Sequence, residues 1–279
     1  MKKFVIIFLL LSLSVFFNSC DVIEEPYIEE GSLVWNGRKS LLLDFTGHTC
    51  GNCPDGHNKI EAILNNYGEA VIPVAIHCGW YSRIEGSNIN QPFYYDFTTD
   101  IGFELGGDGI TTGGALGVQG QPIGVVNVLK GDALKSPSAW ASEVAKYISS
   151  FPQYEIEIDA FYNSVDSIIE CNVIVESITE NRNELHLVVY VLENNIVQWQ
   201  RDYGSDPENV ENYEHNHVLR GGFNGTWGEA IADKVYTEKT YQTKLGKDWV
   251  PNNCLILAFV YNSETYEVLQ AEEIKLIEQ

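Results

Sequence analysis

Hydrophobic periodicity changes once along the chain, near residues 151 and 152, and that change limits the architecture more than any other feature. Before it, apolar runs alternate with stretches of helical period. Residues 39–45, 71–78 and 123–129 read as strands buried on both faces, which need unbroken apolar runs. Between them, 54–68 sets Ile60, Ile63 and Leu64 on one helical face, 93–105 carries a looser helical pattern, and 138–149 forms a further helix. A glycine-rich loop, GGDGITTGGALGVQGQP, precedes the third strand. This order calls for an α/β domain with helices packed on a sheet, over 33–151.

After it, the period is two. In YEIEIDAF, Glu155, Glu157 and Asp159 point one way while Tyr154, Ile156, Ile158 and Ala160 point the other, as a half-buried strand requires. Similar runs at 167–176, 184–192, 234–243, 254–261 and 266–277 predict an all-β sandwich of immunoglobulin-like type over 152–279. Asn194-Asn195 suits a tight hairpin, because Asn tolerates positive φ. Residues 201–233, rich in Gly, Asn and aromatics, fit neither pattern.

The N-terminus carries an address. Lys2 and Lys3 precede an apolar run over 4–17, too short for a comfortable membrane span, which takes about 20 residues, and typical of an export signal. Asn18-Ser19-Cys20 then resembles a bacterial lipoprotein signal, which implies cleavage after residue 19 and acylation of Cys20. Removing the first 19 of the 279 residues leaves 260. An acidic tether, 20–32, follows. More than one acyl chain on Cys20 would anchor stably where a single chain binds reversibly. Loss of Lys2 and Lys3 takes the formal charge from −22 to −24, which disfavours nucleic acid as a partner and leaves membrane attachment to the lipid.

The chemistry is concentrated in LLLDFTGHTCGNCPDGHNKI, residues 41–60. Cys50 and Cys53 stand at the end of a buried strand and the start of a helix, where unpaired N–H groups and the helix dipole favour thiolate on the first cysteine. Cys53, one turn on, can attack a mixed disulfide formed on Cys50. Pro54 fits the first helical turn. Asp44, inside the apolar strand, is a candidate proton carrier, since burial raises a carboxyl toward neutral pH. Spacing alone leaves a redox pair, a metal site and a structural clip all open. A zinc site would have to combine Cys50 and Cys53 with His57 and either His77 or Cys78. No second C-x-x-C supports it, and no metal or cofactor is expected. His215 and His217 form an H-x-H pair that a strand would place on one face, with no third ligand to name. Of the remaining cysteines, Cys171 and Cys254 could be bridged in an exported protein or stay buried and free, and Cys78 is left unpaired.

The segment from Asp44 to Cys53 resembles the thioredoxin active site, a strand ending in Asp-Phe and followed by Cys-Gly-x-Cys. That resemblance implies attack by Cys50, resolution by Cys53, proton transfer by Asp44, and a cis-proline beside the pair, for which Pro122 in Gln121-Pro122 is the candidate. Thr49 and Asn52 replace the tryptophan and proline usual there, which leaves the potential undetermined. With the lipoprotein signal and the second domain, including 212–220 (NYEHNHVLR), the chain resembles the twenty-eight-kilodalton outer-membrane-protein family of Gram-negative bacteria. The resemblance implies an outer-membrane lipoprotein on the periplasmic or cell-surface side. Two functions follow as expectations: a thiol–disulfide oxidoreductase acting on protein thiols or disulfides, or a binding or adhesion protein that holds an envelope partner and keeps the pair as a relic.

Overall fold

The computed structural model describes residues 36–179, 184–232 and 236–278; the signal, Cys20 and the tether lie outside them. Seven buried residues, SLLLDFT, form β1 (Ser40–Thr46). β2 (Val71–His77) runs parallel to it in unbroken register, from Ser40 opposite Val71 to Thr46 opposite His77. The crossover that a parallel pair requires is α1 (Cys53–Tyr67). On the other side of β1, β3 (Ile123–Val126) pairs antiparallel, with Asp44 opposite Gly124.

Two further helices complete this half, α2 (Asp100–Gly106) and α3 (Pro137–Ile148). The helical pattern expected from residue 93 begins only at Asp100. Thr99 is extended and its side chain accepts the Gly102 N–H, so it caps the helix there. Phe93, with φ of 59°, lies in the left-handed region and belongs to an irregular turn. Leu42, Val71 and Val126 pack on Ile63 of α1 and on Trp140 and Val144 of α3. On the opposite face, Leu41, Leu43 and Phe45 join Ile101 and Leu105 of α2 in a separate core. Among the described residues no helix is long and apolar enough to cross a membrane.

The second half opens with β4 (Tyr154–Asn163) and β5 (Ile168–Ser177), both alternating as expected, and β6 (Leu185–Glu193), which is buried on both faces. The region that fitted neither pattern holds much of the next four strands: β7 (Ile196–Arg201), β8 (Asn209–His215), β9 (Val218–Gly222) and β10 (Glu229–Ile231). β11 (Tyr236–Lys244), β12 (Cys254–Asn262), β13 (Val268–Lys275) and β14 (Ile277–Glu278) end the chain. One sheet has the order β13-β12-β6-β9-β2-β1-β3 with β10 on β6, a second is β11-β5-β4-β14, and β7 pairs only with β8. Asn195 has the positive φ anticipated for a tight turn, yet β7 does not fold back on β6, since its partner is β8.

Both halves contribute to the large sheet. β2 meets β9 in parallel at Ala75 and Val218, where the Ala75 N–H donates to the His217 carbonyl at 2.9 Å. The boundary expected at residues 151 and 152 falls in the link between α3 and β4, and strands from either side of it lie in one sheet. The described residues belong to a single compact unit of mixed α/β architecture with few helices. One face of β6 and β12, through Leu187, Val189, Val191, Ile256 and Ala258, packs with Ile156, Val173 and Val175 of the four-stranded sheet. Cys171 and Cys254 lie in this same cluster and are free, so the bridge between them is not formed. Cys254 instead turns its Sγ toward the Val250 carbonyl at 3.4 Å, and both thiols serve as small apolar filling.

Trp140 is completely buried against the sheet, and its indole N–H donates to the Lys135 carbonyl at 3.0 Å. Trp140→Ala should therefore lower unfolding stability by about 3–5 kcal/mol, read as a fall in the denaturant midpoint.

Candidate functional site

β1 ends at Thr46, the chain turns through 47–52, and α1 starts at Cys53 with Pro54 in its first turn and Asn52 as an N-cap that makes no side-chain bond. Asp55 adds an acidic side chain there, favourable to the helix dipole. Cys50 and Cys53 form a disulfide with Cα atoms 5.4 Å apart. The Cys53 N–H donates to the Cys50 carbonyl at 3.2 Å, which tightens the turn. Cys50 is 2% exposed and Cys53 is 0% exposed, so the pair is enclosed.

Asp44 is fully buried in the middle of β1, and neither carboxylate oxygen has a hydrogen-bond partner among the described residues. Burial pushes its pKa up to about 8. His57 on α1 stands beside it, its Nε2 3.8 Å from Oδ2, too far for a hydrogen bond. His57 Nε2 is 3.1 Å from the Thr46 hydroxyl, and Nδ1 is 2.7 Å from the Tyr213 hydroxyl on β8. Burial pushes the His57 pKa down to about 4, so at neutral pH the imidazole is uncharged and Asp44 is mostly the acid. His57 thus separates the buried carboxyl from a cavity of about 300 Å³ that it lines with Tyr213, His77 and His215.

The Gln121-Pro122 peptide bond is cis. It lies beside the disulfide: the Gln121 carbonyl oxygen is 3.7 Å from Cys50 Sγ, and the Gln121 amide donates to the carbonyls of Thr46 and Cys78, both at 2.9 Å. Gly56 lets α1 approach, since a Cβ there would stand 3.1 Å from Pro122 Cβ. The four residues expected to work together, Asp44, Cys50, Cys53 and Pro122, therefore belong to β1, the turn after it, the start of α1 and the loop before β3.

The β7–β8 pair lies over this loop, which the sequence did not suggest. The Arg201 N–H donates to the His48 carbonyl at 2.8 Å and the Tyr203 N–H to the Gly51 carbonyl at 2.9 Å. The Gln200 amide reaches the carbonyls of Cys50 at 3.0 Å and Gly47 at 3.4 Å. The Tyr203 ring rests so closely on Gly51 that a Cβ there would come within 2.5 Å of it, and any larger residue would have to push the ring aside. The residues of β7 and β8 carry no mark of this docking.

The rival metal readings find no support in the arrangement. Cys50 and Cys53 are bonded to each other, Cys78 is a free buried thiol that desolvation pushes up to about 12, and no group of three or more His, Cys, Asp or Glu among the described residues is arranged to hold a metal. His77 stacks on Phe97 with ring centroids 4.3 Å apart. His215 and His217 do not share a strand face. β8 ends at His215, which turns inward to Phe97, while His217 takes a positive φ and reaches toward Glu273 at 3.6 Å.

A mixed α/β chain with a closed C-x-x-C disulfide at a helix start is the class that fold and site define. Within it, a sequence profile of the family described as Outer membrane protein Omp28 matches residues 112–279. The chain belongs to that family, and the outer-membrane location expected from its export signal agrees with membership. Among solved structures it is similar to HBP35 of Porphyromonas gingivalis, at 21% identity and a TM-score of 0.64 over 86% of this chain and 76% of that one. It is also similar to a domain of the outer membrane lipoprotein Omp28 from Porphyromonas gingivalis, at 25% identity and a TM-score of 0.34 over 47% of this chain and 93% of that domain. Comparison with curated proteins gives no match.

Because the folded carboxyl of Asp44 binds its proton more tightly than the unfolded one, its contribution to stability is full below about pH 4 and is lost as pH rises through about 8. The whole span is at most about 6 kcal/mol. Asp44→Asn should flatten this decline and make the variant more stable than wild type at pH 8, measured by denaturant titration at several pH values.

Proposed function

We propose that this outer membrane protein is a lipid-anchored thiol–disulfide oxidoreductase of the cell envelope. In this reading residues 33–151 act as a thioredoxin-like domain and 152–279 as an immunoglobulin-like β-sandwich joined to it edge to edge. The supporting observation is the unpartnered Asp44 carboxyl, buried in the strand that leads into the Cys50–Cys53 disulfide. An uncompensated carboxyl in an apolar strand costs stability, and acceptance of a proton during exchange is a use that would retain it.

The steps balance without any further reagent. When the pair is reduced, the Cys50 thiolate attacks a substrate disulfide, forming a mixed disulfide and releasing one substrate thiolate. In the ionised fraction of molecules, which grows as pH approaches about 8, Cys53 gives its proton to the Asp44 carboxylate and attacks the Cys50 sulfur, so the Cys50–Cys53 bond forms and the second substrate thiolate leaves. Two electrons pass from the pair to the substrate. Run in reverse, the same steps oxidise a substrate dithiol. Pro122 would align the substrate backbone beside Cys50.

A second reading has its own support. The cysteines are enclosed under β7 and β8, as suits a structural clip in a protein whose function is to bind an envelope partner. Reduction of a disulfide peptide separates the two. Under the first, pre-reduced protein should react well over tenfold faster than a free dithiol, Cys53→Ser should accumulate a mixed disulfide on Cys50 detectable by mass, and Asp44→Asn should slow its resolution. A wild-type rate equal to the free dithiol would decide for the clip.

The anchor is tested separately. Cys20→Ser should move the protein from the membrane fraction to the soluble fraction, and an unmodified mature N-terminus found by mass spectrometry would remove the lipid from this account.

A further inference from the structure

The segment from Gln200 to Tyr203 meets the redox loop through its backbone. Two N–H groups separated by one residue, those of Arg201 and Tyr203, bond the carbonyls of His48 and Gly51 on either side of Cys50. A polar side chain just before them, Gln200, covers the carbonyls of Gly47 and Cys50. The Arg201 guanidinium is held by Glu85 at 3.3 Å and lies over the Phe93 ring, 5.0 Å from its centroid, while the following aromatic rests on Gly51. Main-chain bonds of this kind give affinity to any extended chain, and the side-chain contacts give preference.

We propose that the loop edge from Gly47 to Gly51 is the binding site for an extended polypeptide substrate, and that residues 200–203 are this chain's own occupant of it. The occupant defines what a substrate must offer: an extended backbone with donors two residues apart, a basic side chain toward Glu85 and Phe93, and an aromatic ring against Gly51. A basic segment also suits a protein with a formal charge of −22. Exchange then begins when such a segment displaces Gln200–Tyr203, which uncovers Cys50 and presents the substrate sulfur beside it. This inference rests on the proposed thiol exchange, and the two fail differently.

The test loosens the occupant without touching the cysteines, Asp44 or Pro122. Arg201→Glu combined with Tyr203→Ala reverses the attraction to Glu85 and removes the ring from Gly51. Both side chains reach solvent, Tyr203 being 59% exposed, so the fold should survive. Tyr203→Pro, which deletes one of the two N–H donors, is the second variant, and thermal melting is the fold control. In reduced protein, Cys50 of either variant should be alkylated about tenfold faster than in wild type, and a disulfide peptide should be reduced faster by a similar factor. A synthetic peptide of residues 197–205 should inhibit the loosened variants, and the same peptide with Glu in place of Arg201 should inhibit at least fivefold more weakly. If wild type and variants reduce the peptide equally fast and the synthetic peptide does not inhibit, the loop edge is not the binding site, though the oxidoreductase reading stands. If Cys50 becomes open to alkylation while every form remains no faster than a free dithiol, the oxidoreductase reading falls and the substrate site with it.

Discussion

The pairing of β1 with β2 and β3 is the constraint on which the rest depends. Seven consecutive parallel pairs with β2 and four antiparallel pairs with β3 hold β1 from both sides, so the places of Asp44 and Thr46 are fixed by backbone hydrogen bonds rather than by side-chain packing. Because side chains alternate along a strand, that register sends Leu42, Asp44 and Thr46 toward α1 and α3 while Leu43 and Phe45 enter the opposite core. A slip of one residue would exchange the two sets, putting the carboxyl among Ile101 and Leu105 and leaving His57 without Thr46. The disulfide inherits its position from the same source, since it starts four residues after the strand ends.

β2 carries the constraint into the second half. Its far edge takes β9 at one point, Ala75 with Val218, and the chain just before β9 brings His215 and Tyr213 beside His77 and His57. A site that is local in sequence, from Asp44 to His57, thereby acquires a wall from residues more than 140 positions away. This wall is largely neutral. Burial lowers the pKa of His57, His77 and His215, so imidazoles that would repel one another as cations pack against aromatic rings instead.

The parts of this arrangement that were legible in the sequence are those governed by local periodicity. β1, β2, α1, α3 and the alternating β4 and β5 follow from apolar spacing, and Asp44 stands out because a charge inside an apolar run needs a reason. The joining of both halves in one sheet was hidden, because the pairing that makes it involves a single residue of β2, which imposes no pattern on the chain. β7 and β8 were hidden for another reason. They pair only with each other and rest on a loop through backbone groups, so their side chains need neither strict alternation nor an apolar face. The free thiols of Cys171 and Cys254 show the limit of cysteine counting: the two lie in one apolar cluster without being bridged. Gly51 could have been read only with the knowledge that a ring would lie on it.

Burial of the cysteines does not by itself choose between an enzyme and a clip. Two backbone hydrogen bonds contribute about 1 kcal/mol each net, and the polar contacts of Gln200 and the Tyr203 ring bring the closure to roughly 2–3 kcal/mol. An equilibrium of that size leaves on the order of 1% of molecules open, far more than the fraction globally unfolded, since local opening needs only the weakest contacts to break. A site can therefore be enclosed on average and still exchange. The carboxyl is the group on which the proposed exchange draws. A structural disulfide gains nothing from an unpartnered acid in the neighbouring strand, and an uncharged residue of the same shape would spare the chain its desolvation at neutral and higher pH. In the proposed exchange, a proton acceptor with a pKa near the working pH would take the proton as Cys53 attacks and could give it up again afterwards.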